Sequence, residues 1–415
     1  PQDIVYIHNI RYRPHRSLPK PWKETNVMEQ RTLFIDAWLT QQYSKTELCQ
    51  RFGISRPTAD KWIQRYRQNG LAGLADQSRR PHHSPNATDD ALRERLIAAK
   101  QQRPHWGAKK LLGLLRIQHP DIDWPSNSTG ERLLKQAGLV QPRRHRSRFS
   151  ADNSPFVAES QPNQSWSTDF KGDFLMKNGR RCYPLTISDN YSRKLLLCQS
   201  LGSTAYQGVR PLFERVFAEY GLPYTLVSDN GTPFASRALG GLSSLSKWWI
   251  DLGIRPQRIN PGHPEQNGRH ERMHRSLKEY LLKLDKIEHD LAAQQQQFDT
   301  FLQEYNEMRI HEGLGGQIPE ELYRPSPRSY SGIITAYDYD DAAQIRQVRS
   351  NGEIKWRGQL FYISQVLVGE AVALMPYGDG VWRIDYRFHP LGLMNDRTGK
   401  VERLTQWREI PRPQR

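Results

Sequence analysis

Four acidic residues in three separated stretches have the type and spacing for metal-assisted chemistry. Asp169 lies in SWSTDFKGDF, Asp229 in LVSDNGTPF, and Glu265 and Glu271 both lie in INPGHPEQNGRHERMHRSLKEY. Mg²⁺ prefers carboxylate oxygen, and two such ions roughly 3.5–4 Å apart activate a nucleophile and stabilise a leaving oxygen. Three acids from separate segments therefore predict a divalent-metal site for phosphoryl transfer on DNA.

The third acid of such a site is either Glu265 or Glu271. They are six residues apart, so they differ by roughly 240° around a helix and cannot share a site. Glu265 follows Pro264 in the first predicted turn, where the helix dipole alone favours an acid. Glu271 lies more than a turn inside the helix, after Asn267-Gly268, which permits close approach of a strand or DNA. Helix geometry leaves both open and favours Glu271 slightly.

The elements that would position these acids begin at residue 164. Their predicted order is three strands, then alternating helix and strand: strands at 166–174, 182–189, 194–201, 224–228 and 254–259, helices at 205–220 and 245–252. This is the order of an RNase H-like α/β domain, expected over 164–325. Asp173 and Asp189 compete as strand-end acids, but Asp189 is better explained as a turn acid that caps NYSR or pairs with Arg193.

A helix-turn-helix signature precedes this domain, within 24–75. Ser44 suits an N-cap, Gly53 lies at the turn, and a second helix is predicted over 55–69. The predicted apolar positions are Leu33, Ile35, Trp38 and Leu39 in the preceding helix and Ala59, Trp62, Ile63 and Tyr66 in the second. The residues left for DNA are Arg56, Thr58, Lys61, Arg65 and Arg67. The alternative is that these charges form an ordinary solvated helix face.

A second helical module is predicted over 89–140, after a polar linker at 76–88. Helices over 90–101, 107–117 and 126–136 suit a second helix-turn-helix or winged-helix-like domain, with a helical spacer as the alternative. Its candidate phosphate contacts are Lys109, Lys110 and Arg132. Two basic segments flank the modules. Residues 1–23 form either a groove-following arm or a disordered tail, and the 141–163 linker carries Arg143, Arg144, Arg146 and Arg148.

The last segment, 326–415, has a different pattern. Asn351-Gly352 between alternating stretches is a strong hairpin signal, and YGDG at 377–380 indicates another. Several short strands in about eighty residues suggest a small β-barrel. Its cations would form a DNA-facing or protein-facing platform: Lys355, Arg357, Arg383 and Arg387. The expected fold class is multidomain, with all-α helix-turn-helix modules, a central α/β RNase H-like domain and this barrel.

Bulk composition agrees with a DNA partner. The net charge of +16 is concentrated at the front, where residues 1–160 hold 27 Lys and Arg against 15 Asp and Glu. Cys49, Cys182 and Cys198 are scattered, so neither a disulfide framework nor a structural zinc site is expected. No apolar run approaches ~18 residues, so we expect a cytoplasmic protein that does not enter membranes.

The motifs together resemble the DDE transposases of bacterial insertion sequences, the branch with a retroviral-integrase-like core. The resemblance rests on DNG-x-x-F at 229–234 and on P-x-x-x-x-NG-x-x-ER-x-H-x-x-LK at 261–278. WSTDF, DNYSR and the later YN-x-x-R-x-H also look like that family, as does the helix-turn-helix front. The resemblance implies that Asp169, Asp229 and Glu271 are the catalytic acids and that Glu265 is a decoy. Forty-one residues separate Asp229 from Glu271, more than in the retroviral pattern, and we attribute the excess to RALGGLSSLS.

That resemblance implies a Mg²⁺-dependent DNA transposase, with Mn²⁺ able to substitute. Such an enzyme binds the terminal inverted repeats of its element, cuts the ends and joins the 3′-hydroxyls to target DNA as a homodimer or larger assembly. Further candidate DNA contacts are Asn230, Asn267, Arg269, His270, Arg272, Arg275 and Lys278. The alternatives are a non-catalytic helix-turn-helix regulator and an RNase H-like nuclease that never joins strands.

Overall fold

The computed structural model describes residues 26–76, 87–140, 159–236, 238–259 and 267–403. The chain divides into two compact units, with the boundary between Ala87 and Thr88. The first unit contains the predicted helix-turn-helix. The second contains the other helical module, the α/β domain and the C-terminal strands.

Three helices build the first unit: α1 (Val27–Leu39), α2 (Lys45–Phe52) and α3 (Arg56–Asn69). Ser44 caps α2 in a capping box with Glu47, and Ser55 caps α3. Gly53 ends α2 at φ 63°, in the left-handed region that favours glycine. The predicted turn between α2 and α3 is therefore present. The serine caps and the left-handed glycine account for where the two helices end and begin.

The core of this unit contains Phe34, Ile35, Leu48, Ala59, Trp62 and Ile63, all buried. Tyr66 packs against it as predicted. The prediction for α1 was partly wrong, because Leu33 and Leu39 are each 50% exposed. The buried stripe of α1 runs through Phe34 and Ile35 and extends to Trp38, so these two leucines lie beside it.

The second unit begins with α4 (Asp90–Gln102), α5 (Ala108–Gln118) and α6 (Asn127–Gln136). The helices fall within a residue or two of their predicted ranges, and Ser126 caps α6. Leu111, Leu112, Leu115 and Leu134 pack with Trp106 in one buried cluster. The long leucine run of α5 is explained by this burial on several sides.

The central domain is a five-stranded sheet in the order β5-β4-β1-β6-β7. Its strands are β1 (Ser165–Phe170), β4 (Leu185–Asp189), β5 (Leu195–Gln199), β6 (Thr225–Ser228) and β7 (Arg255–Arg258). A short hairpin of β2 (Phe174–Leu175) and β3 (Arg181–Cys182) interrupts the first predicted strand. β1 pairs antiparallel with β4 and parallel with β6, which pairs parallel with β7.

Helices cover this sheet and bury its apolar side chains. The helix α7 (Tyr206–Tyr220) and the helix α8 (Ser244–Asp251) pack Phe213, Phe217 and Trp249 against Trp166 of β1. The helix α9 (Gly268–Lys283) packs with α10 (Leu291–Gln303), and Leu277, Tyr280, Phe298 and Phe301 share a second cluster. A π-helical turn, Glu304–Met308, and α11 (Pro319–Leu322) complete the domain.

The second helical module is seated on the segment that follows α10. A Cβ atom built on Gly113 of α5 would overlap the side chain of Ile310. Nearby, His105 Nε2 lies 3.1 Å from Glu304 Oε1, and Lys109 Nζ lies 3.2 Å from Glu312 Oε1. The absence of a side chain at Gly113 is what allows α5 to approach so closely.

The C-terminal region is an antiparallel β domain, but the expected barrel was wrong. The order β14-β13-β12-β11-β8 forms an open five-stranded sheet, and β10-β9 forms a separate hairpin within the described residues. The strands are β8 (Gln344–Gln347), β9 (Glu353–Trp356), β10 (Gln359–Tyr362), β11 (Ala371–Gly378), β12 (Val381–Tyr386), β13 (His389–Asn395) and β14 (Lys400–Arg403). The edge strands β14 and β8 do not pair with each other, so the sheet does not close.

This β domain shares a hydrophobic cluster with the central domain. Leu242 and Ile250, which belong to the central domain, are buried among Val372, Ile384 and Leu391 of the C-terminal sheet. The packing extends through the 3₁₀ turn Leu239–Gly241, beside β13. The sheet is therefore joined to α8 by a common core as well as by the chain.

Candidate active site and nucleic-acid interface

Asp169 lies near the end of β1, where the strand leaves the core. Its Cα partner on the antiparallel neighbour β4 is Thr186. Residues before it on β1 are buried, among them Trp166 and Thr168, whereas the Asp169 carboxylate is 22% exposed. The carboxylate is therefore at the rim of the sheet, where a bound molecule can reach it.

Asp229 follows β6 directly and lies at the same edge. In the parallel pair of β1 and β6, Ser167 faces Val227, and each acid lies two residues beyond that pair. The Gly231 N–H donates to Asp229 Oδ1 at 3.0 Å, and a Cβ atom on Gly231 would lie 2.9 Å from Oδ2. Equal offsets on neighbouring parallel strands bring the two carboxylates together.

Glu271 was predicted to lie more than a turn inside its helix, but α9 begins at Gly268 and Glu271 is in its first turn, with an exposed side chain. The buried face of this helix includes His270, Met273, His274 and Leu277. That face is packed over β1 and β4, so Glu271 is at the boundary between the packed face and solvent. Glu265 lies outside the described residues, as do all of 260–266.

The pKa of Asp169 is affected by the charges of the other two acids. Its pKa is raised to about 7, first by burial, then by the charge of Asp229 and also by that of Glu271. A backbone hydrogen bond and Lys171 act in the opposite direction. Like charges this close disfavour simultaneous ionisation, so the site has an excess of negative charge.

The three carboxylates suit a divalent cation as a set of hard oxygen donors. Within the described ranges, however, no group of three or more His, Cys, Asp or Glu side chains is close enough to hold one metal ion. The acids are therefore near enough to shift the pKa of Asp169, but they are not arranged as a complete set of ligands for one metal ion. Their chemistry fits a metal, and their spacing in this structure is wider than direct ligation by all three requires.

A buried polar cluster lies directly beneath Asp169. The Thr186 hydroxyl donates to the Asp169 carbonyl at 3.0 Å and lies 2.8 Å from His270 Nε2 and 2.7 Å from His274 Nε2. Ser188 Oγ is 2.7 Å from His270 Nδ1. Since Thr186 uses its one proton on the carbonyl, both imidazoles must donate to its oxygen through Nε2–H.

This arrangement fixes the tautomer of His274 and aims its other nitrogen at the site. His274 Nδ1 lies 3.9 Å from Asp169 Oδ2. Burial lowers the pKa of His270 to about 3 and that of His274 to about 2, so both rings are neutral at pH 7. Sequence reasoning missed Thr186 and His274; the H-x-x-x-H spacing (i, i+4) was the available signal.

Several candidate DNA contacts around the acids already have partners inside the protein. His270 is 1% exposed and Asn267 is 5% exposed. Arg269 bonds to Asn190 O at 3.0 Å and forms an ion pair with Glu159. Asn230 Nδ2 donates to Ile259 O at 2.8 Å. In this structure His270, Arg269 and Asn230 have partners within the protein that stabilise the loops and the helix start around the site, and Asn267 is buried.

Exposed cations remain on α9. Arg272, Arg275 and Lys278 lie on its solvent side, where DNA contact stays a prediction. Lys171, which the sequence did not single out, lies near both Lys278 and Asp169: burial and then Lys278 lower the pKa of its ammonium group, while Asp169 raises it. Lys171 follows Asp169 by two residues, and that proximity to an acid was its only signal.

Other conspicuous motif residues stabilise the fold. Asp189 accepts hydrogen bonds from the backbone of Asn163 and from the backbone and hydroxyl of Ser192, as expected for a turn acid. Asn306, in the YN-x-x-R-x-H motif, bonds to both the N–H and the carbonyl of Leu195 at 2.8 Å. β5 is at the edge of the sheet, and the Asn306 amide makes the two backbone hydrogen bonds that a neighbouring strand would make with Leu195.

The recognition-helix candidates on α3 are mostly at the surface. Arg56 donates to Thr46, and Thr58 is engaged with the Ser55 cap. Lys61 and Arg65 lie over the Trp62 ring, and Arg67 lies over Trp38. These cation–π contacts hold the alkyl stems against the core while the charged ends stay near solvent.

In the second module Arg132 is exposed, and Lys109 is paired with Glu312. Lys110 is partly buried and has an interaction partner. Arg143, Arg144, Arg146 and Arg148 lie outside the described residues. No helix in the described part of the chain is long and apolar enough to cross a membrane.

Comparisons with known protein families assign domains to the same regions. Residues 159–264 and 252–319 match the integrase core domain family. Residues 58–134 match a homeodomain-like domain, and 30–82 match a helix-turn-helix domain. The integrase core matches together include Asp169, Asp229 and Glu271.

Among solved structures, the HTLV-2 integrase catalytic core domain in complex with magnesium is 17% identical over 40% of this chain and 99% of that one, with a TM-score of 0.32. A chain of the simian T-cell lymphotropic virus intasome in complex with PP2A regulatory subunit B56 gamma is 14% identical over 69% of this chain and 91% of its own, with a TM-score of 0.36. Likeness at these scores carries no conclusion by itself.

Sequence relatives are more informative. The feline leukemia virus Gag-Pol polyprotein is 27% identical over 46% of this chain, which spans only 11% of that polyprotein. The insertion element IS476 39.2 kDa protein of Xanthomonas euvesicatoria is 30% identical over 264 residues, 62% of this chain and 72% of that protein. The chain therefore belongs to the insertion-element transposases, DNA-binding enzymes of the polynucleotidyl-transferase type whose catalytic domain is an integrase core.

Proposed function

We propose that this protein binds the terminal inverted repeats of its mobile element, cuts the DNA ends and joins the freed 3′-hydroxyls to target DNA. The observation that carries the proposal is that three acids come to one edge of the sheet from β1, β6 and α9. Burial first, and then repulsion by the charges of Asp229 and Glu271, raise the pKa of Asp169 to about 7. A non-catalytic regulator would have no use for this repulsion, which disfavours the folded state.

In this proposal Asp169, Asp229 and Glu271 hold two Mg²⁺ ions, or Mn²⁺ in their place. When bound, the metals polarise the scissile phosphate and favour deprotonation of the attacking hydroxyl or water. The chain's own contribution is to orient the acids. Gly231 N–H fixes the Asp229 carboxylate, and the Thr186–His274 pair fixes the surroundings of Asp169.

Full ligation requires the three carboxylates to approach one another more closely than they do here. Asp169 and Asp229 are on neighbouring strands, whose separation the sheet fixes. Glu271 is in the first turn of a helix, so rotation of its side chain is the smallest movement that completes the set. Lys171 and Lys278 are near enough to neutralise charge on a DNA phosphate at this edge.

The helical modules would hold the element ends, with α3 as the recognition helix of the first unit. The exposed cations of α3 and α9 favour contacts with the phosphate backbone, which are independent of sequence. Because two ends must be held for concerted joining, we propose a homodimer or larger assembly on DNA.

The test is a strand-transfer assay with the full chain, Mg²⁺, a labelled duplex carrying the inverted repeat that flanks its gene, and a supercoiled plasmid. We expect labelled plasmid products from the wild type, and none from Asp229→Asn or Glu271→Gln, which should still bind the duplex. Glu279→Gln, an acid two turns further along α9, is the matched control and should retain activity.

The rival functions give different products in the same assay. Cut ends without joining would identify a nuclease, and binding without cutting would identify a regulator. Glu265→Gln distinguishes the two candidate glutamates: full activity in this variant is expected, whereas its inactivity beside an active Glu271→Gln variant would reverse the assignment.

A further inference from the structure

Arg258 occupies an unusual place beside the candidate active site. It ends β7, and its Cα partner on the parallel strand β6 is Ser228, the residue before Asp229. Its guanidinium is half-buried and donates from Nη2 to Gly240 O at 2.7 Å. This side chain therefore lies where the central sheet meets the 3₁₀ turn that contacts the C-terminal sheet.

The guanidinium is held in one orientation by the backbone of that turn. Gly241 has a φ of 66°, and a Cβ atom there would overlap Arg258 Nη1 and Cζ. Only a residue without a side chain lets the planar group lie against the turn. Arg258 is thus preorganised, and within the described residues its contact with Gly240 leaves further N–H donors without a partner.

A second arginine faces it from the C-terminal sheet. Arg403 ends β14, and its Cα partner on β13 is Gly392, which packs against Leu239 of the same 3₁₀ turn. Burial and then Arg403 lower the pKa of Arg258. The positive charges of Arg255 and Arg258 also act on buried His389, whose pKa burial lowers to about 3.

Several other arginines of the C-terminal region are neutralised by acids. Arg357 pairs with Asp396 at 3.0 Å, Arg383 with Asp385 at 2.6 Å and Arg387 with Asp251 at 3.0 Å. Across the described ranges, neither Arg258 nor Arg403 forms such a pair. Holding like charges together, one of them half-buried, is unfavourable unless an anion joins them.

We propose that Arg258 and Arg403 form a binding site for a backbone phosphate of the DNA strand that passes from the catalytic acids toward the C-terminal sheet. The identity of this polyanion as DNA rests on the proposed function. Two guanidinium groups offer several parallel N–H donors, which match the paired oxygens of a phosphodiester. Arg258 is level with Ser228, one residue before Asp229, so the site lies at the same edge of the sheet as the acids and DNA bound at the acids can continue past it.

The experiment measures affinity for a fluorescent 30-base-pair duplex of mixed sequence as a function of KCl, in EDTA, with the full chain. Each phosphate contact contributes about 0.9 to the slope of log K against log[salt]. We expect Arg258→Gln and Arg403→Gln each to make the slope shallower by about that amount. The matched control is Arg397→Gln, which removes an exposed, acid-paired arginine and should leave the slope unchanged.

Slopes equal to that of the wild type in both test variants would overturn the proposal. An equal loss in Arg397→Gln would also overturn it, because the effect would then follow net charge alone. Arg403 is exposed, so its variant should fold like the wild type in a thermal unfolding control even if Arg258→Gln does not.

Competition with inorganic phosphate at constant ionic strength identifies the source of the anion. Failure of millimolar phosphate to displace the duplex supports a DNA site, whereas displacement that is lost in Arg403→Gln would show a free-phosphate site and overturn the DNA assignment. The assay needs no catalysis. Wild-type protein that binds with the expected slopes but joins no strands would refute the proposed function and leave this site standing.

Discussion

Asp169 shows how a single carboxyl group reports the condition of the whole site. In the folded chain its pKa is about 7, against an ordinary value of 3.8. Between these pH values the folded state binds a proton that the unfolded state releases. The contribution of Asp169 to the free energy of unfolding therefore becomes less favourable as pH rises from about 4 to 7.

Removing this charge should stabilise the metal-free protein at alkaline pH. We expect Asp169→Asn to raise the free energy of unfolding at pH 8 by up to about 4 kcal/mol, and by much less at pH 4.5. Urea unfolding in EDTA at the two pH values measures this difference. Asp121→Asn, an exposed acid, is the control. A gain that is the same at both pH values would contradict the titration argument.

Sequence reasoning predicted the three candidate acids but not their surroundings. Asp169 and Asp229 could be placed at strand ends because alternation and the Asn-Gly turn are local signals. The choice of Glu271 needed the family resemblance, since helix geometry left Glu265 open. The H-x-x-x-H spacing was a signal for His274, but its contact with Thr186 could not be found from the sequence, because it joins residues 88 apart.

At the scale of elements, the helix that carries Glu271 is held to the sheet by a polar contact. The Thr186 hydroxyl of β4 accepts hydrogen bonds from His270 and His274 of α9 and donates one to the Asp169 carbonyl of β1. One hydroxyl therefore connects three elements. One position away in the strand pairing, Thr168, opposite Ile187, is fully buried, yet its hydroxyl has no partner among the described residues. The two threonines therefore differ in hydrogen bonding rather than in burial.

Valine substitution should separate these two threonines. Thr186→Val leaves the buried Nε2–H groups of His270 and His274 without an acceptor, at a cost of about 1–3 kcal/mol in unfolding free energy. Thr168→Val removes only an unsatisfied hydroxyl, so it should be neutral or stabilising. Urea unfolding at pH 7 tests the pair. Equal losses would show that packing, not hydrogen bonding, holds α9 in place.

The starts of helices could be predicted from local capping residues. The features that depend on packing between elements could not. Ser44, Ser55 and Ser126 each cap the helix expected after them. The exposure of Leu33 and Leu39 was not foreseeable, because the turn between α1 and α2 selects the buried stripe. The open C-terminal sheet likewise depends on whether β8 and β14 meet, which hairpin signals do not determine.

At the scale of the whole molecule, the C-terminal sheet and the catalytic domain are joined by buried charge as well as by apolar packing. Asp251 of α8 lies 2.9 Å from Lys247 Nζ and 3.0 Å from Arg387 Nε, and it accepts a hydrogen bond from Tyr386. Tyr386 and Arg387 are more than 130 residues further along the chain. Sequence periodicity carries no information about such a pairing.

Breaking this junction should loosen the C-terminal sheet. Asp251→Ala leaves buried cationic partners without their acid and should cost roughly 3–5 kcal/mol in unfolding free energy. Glu370→Ala removes the partly exposed partner of Lys247 and should cost no more than about 1 kcal/mol. Thermal unfolding, with limited proteolysis of 326–343, provides the measurement. Equal sensitivity of the two variants would argue against a buried electrostatic junction.

The close packing of Gly113 of α5 against Ile310 affects which substitutions this protein can tolerate. The second helical module is positioned by side-chain contacts around Gly113, His105 and Lys109. Substitutions of its exposed residues outside these contacts can therefore accumulate without moving the module, whereas a single side chain at position 113 would displace it.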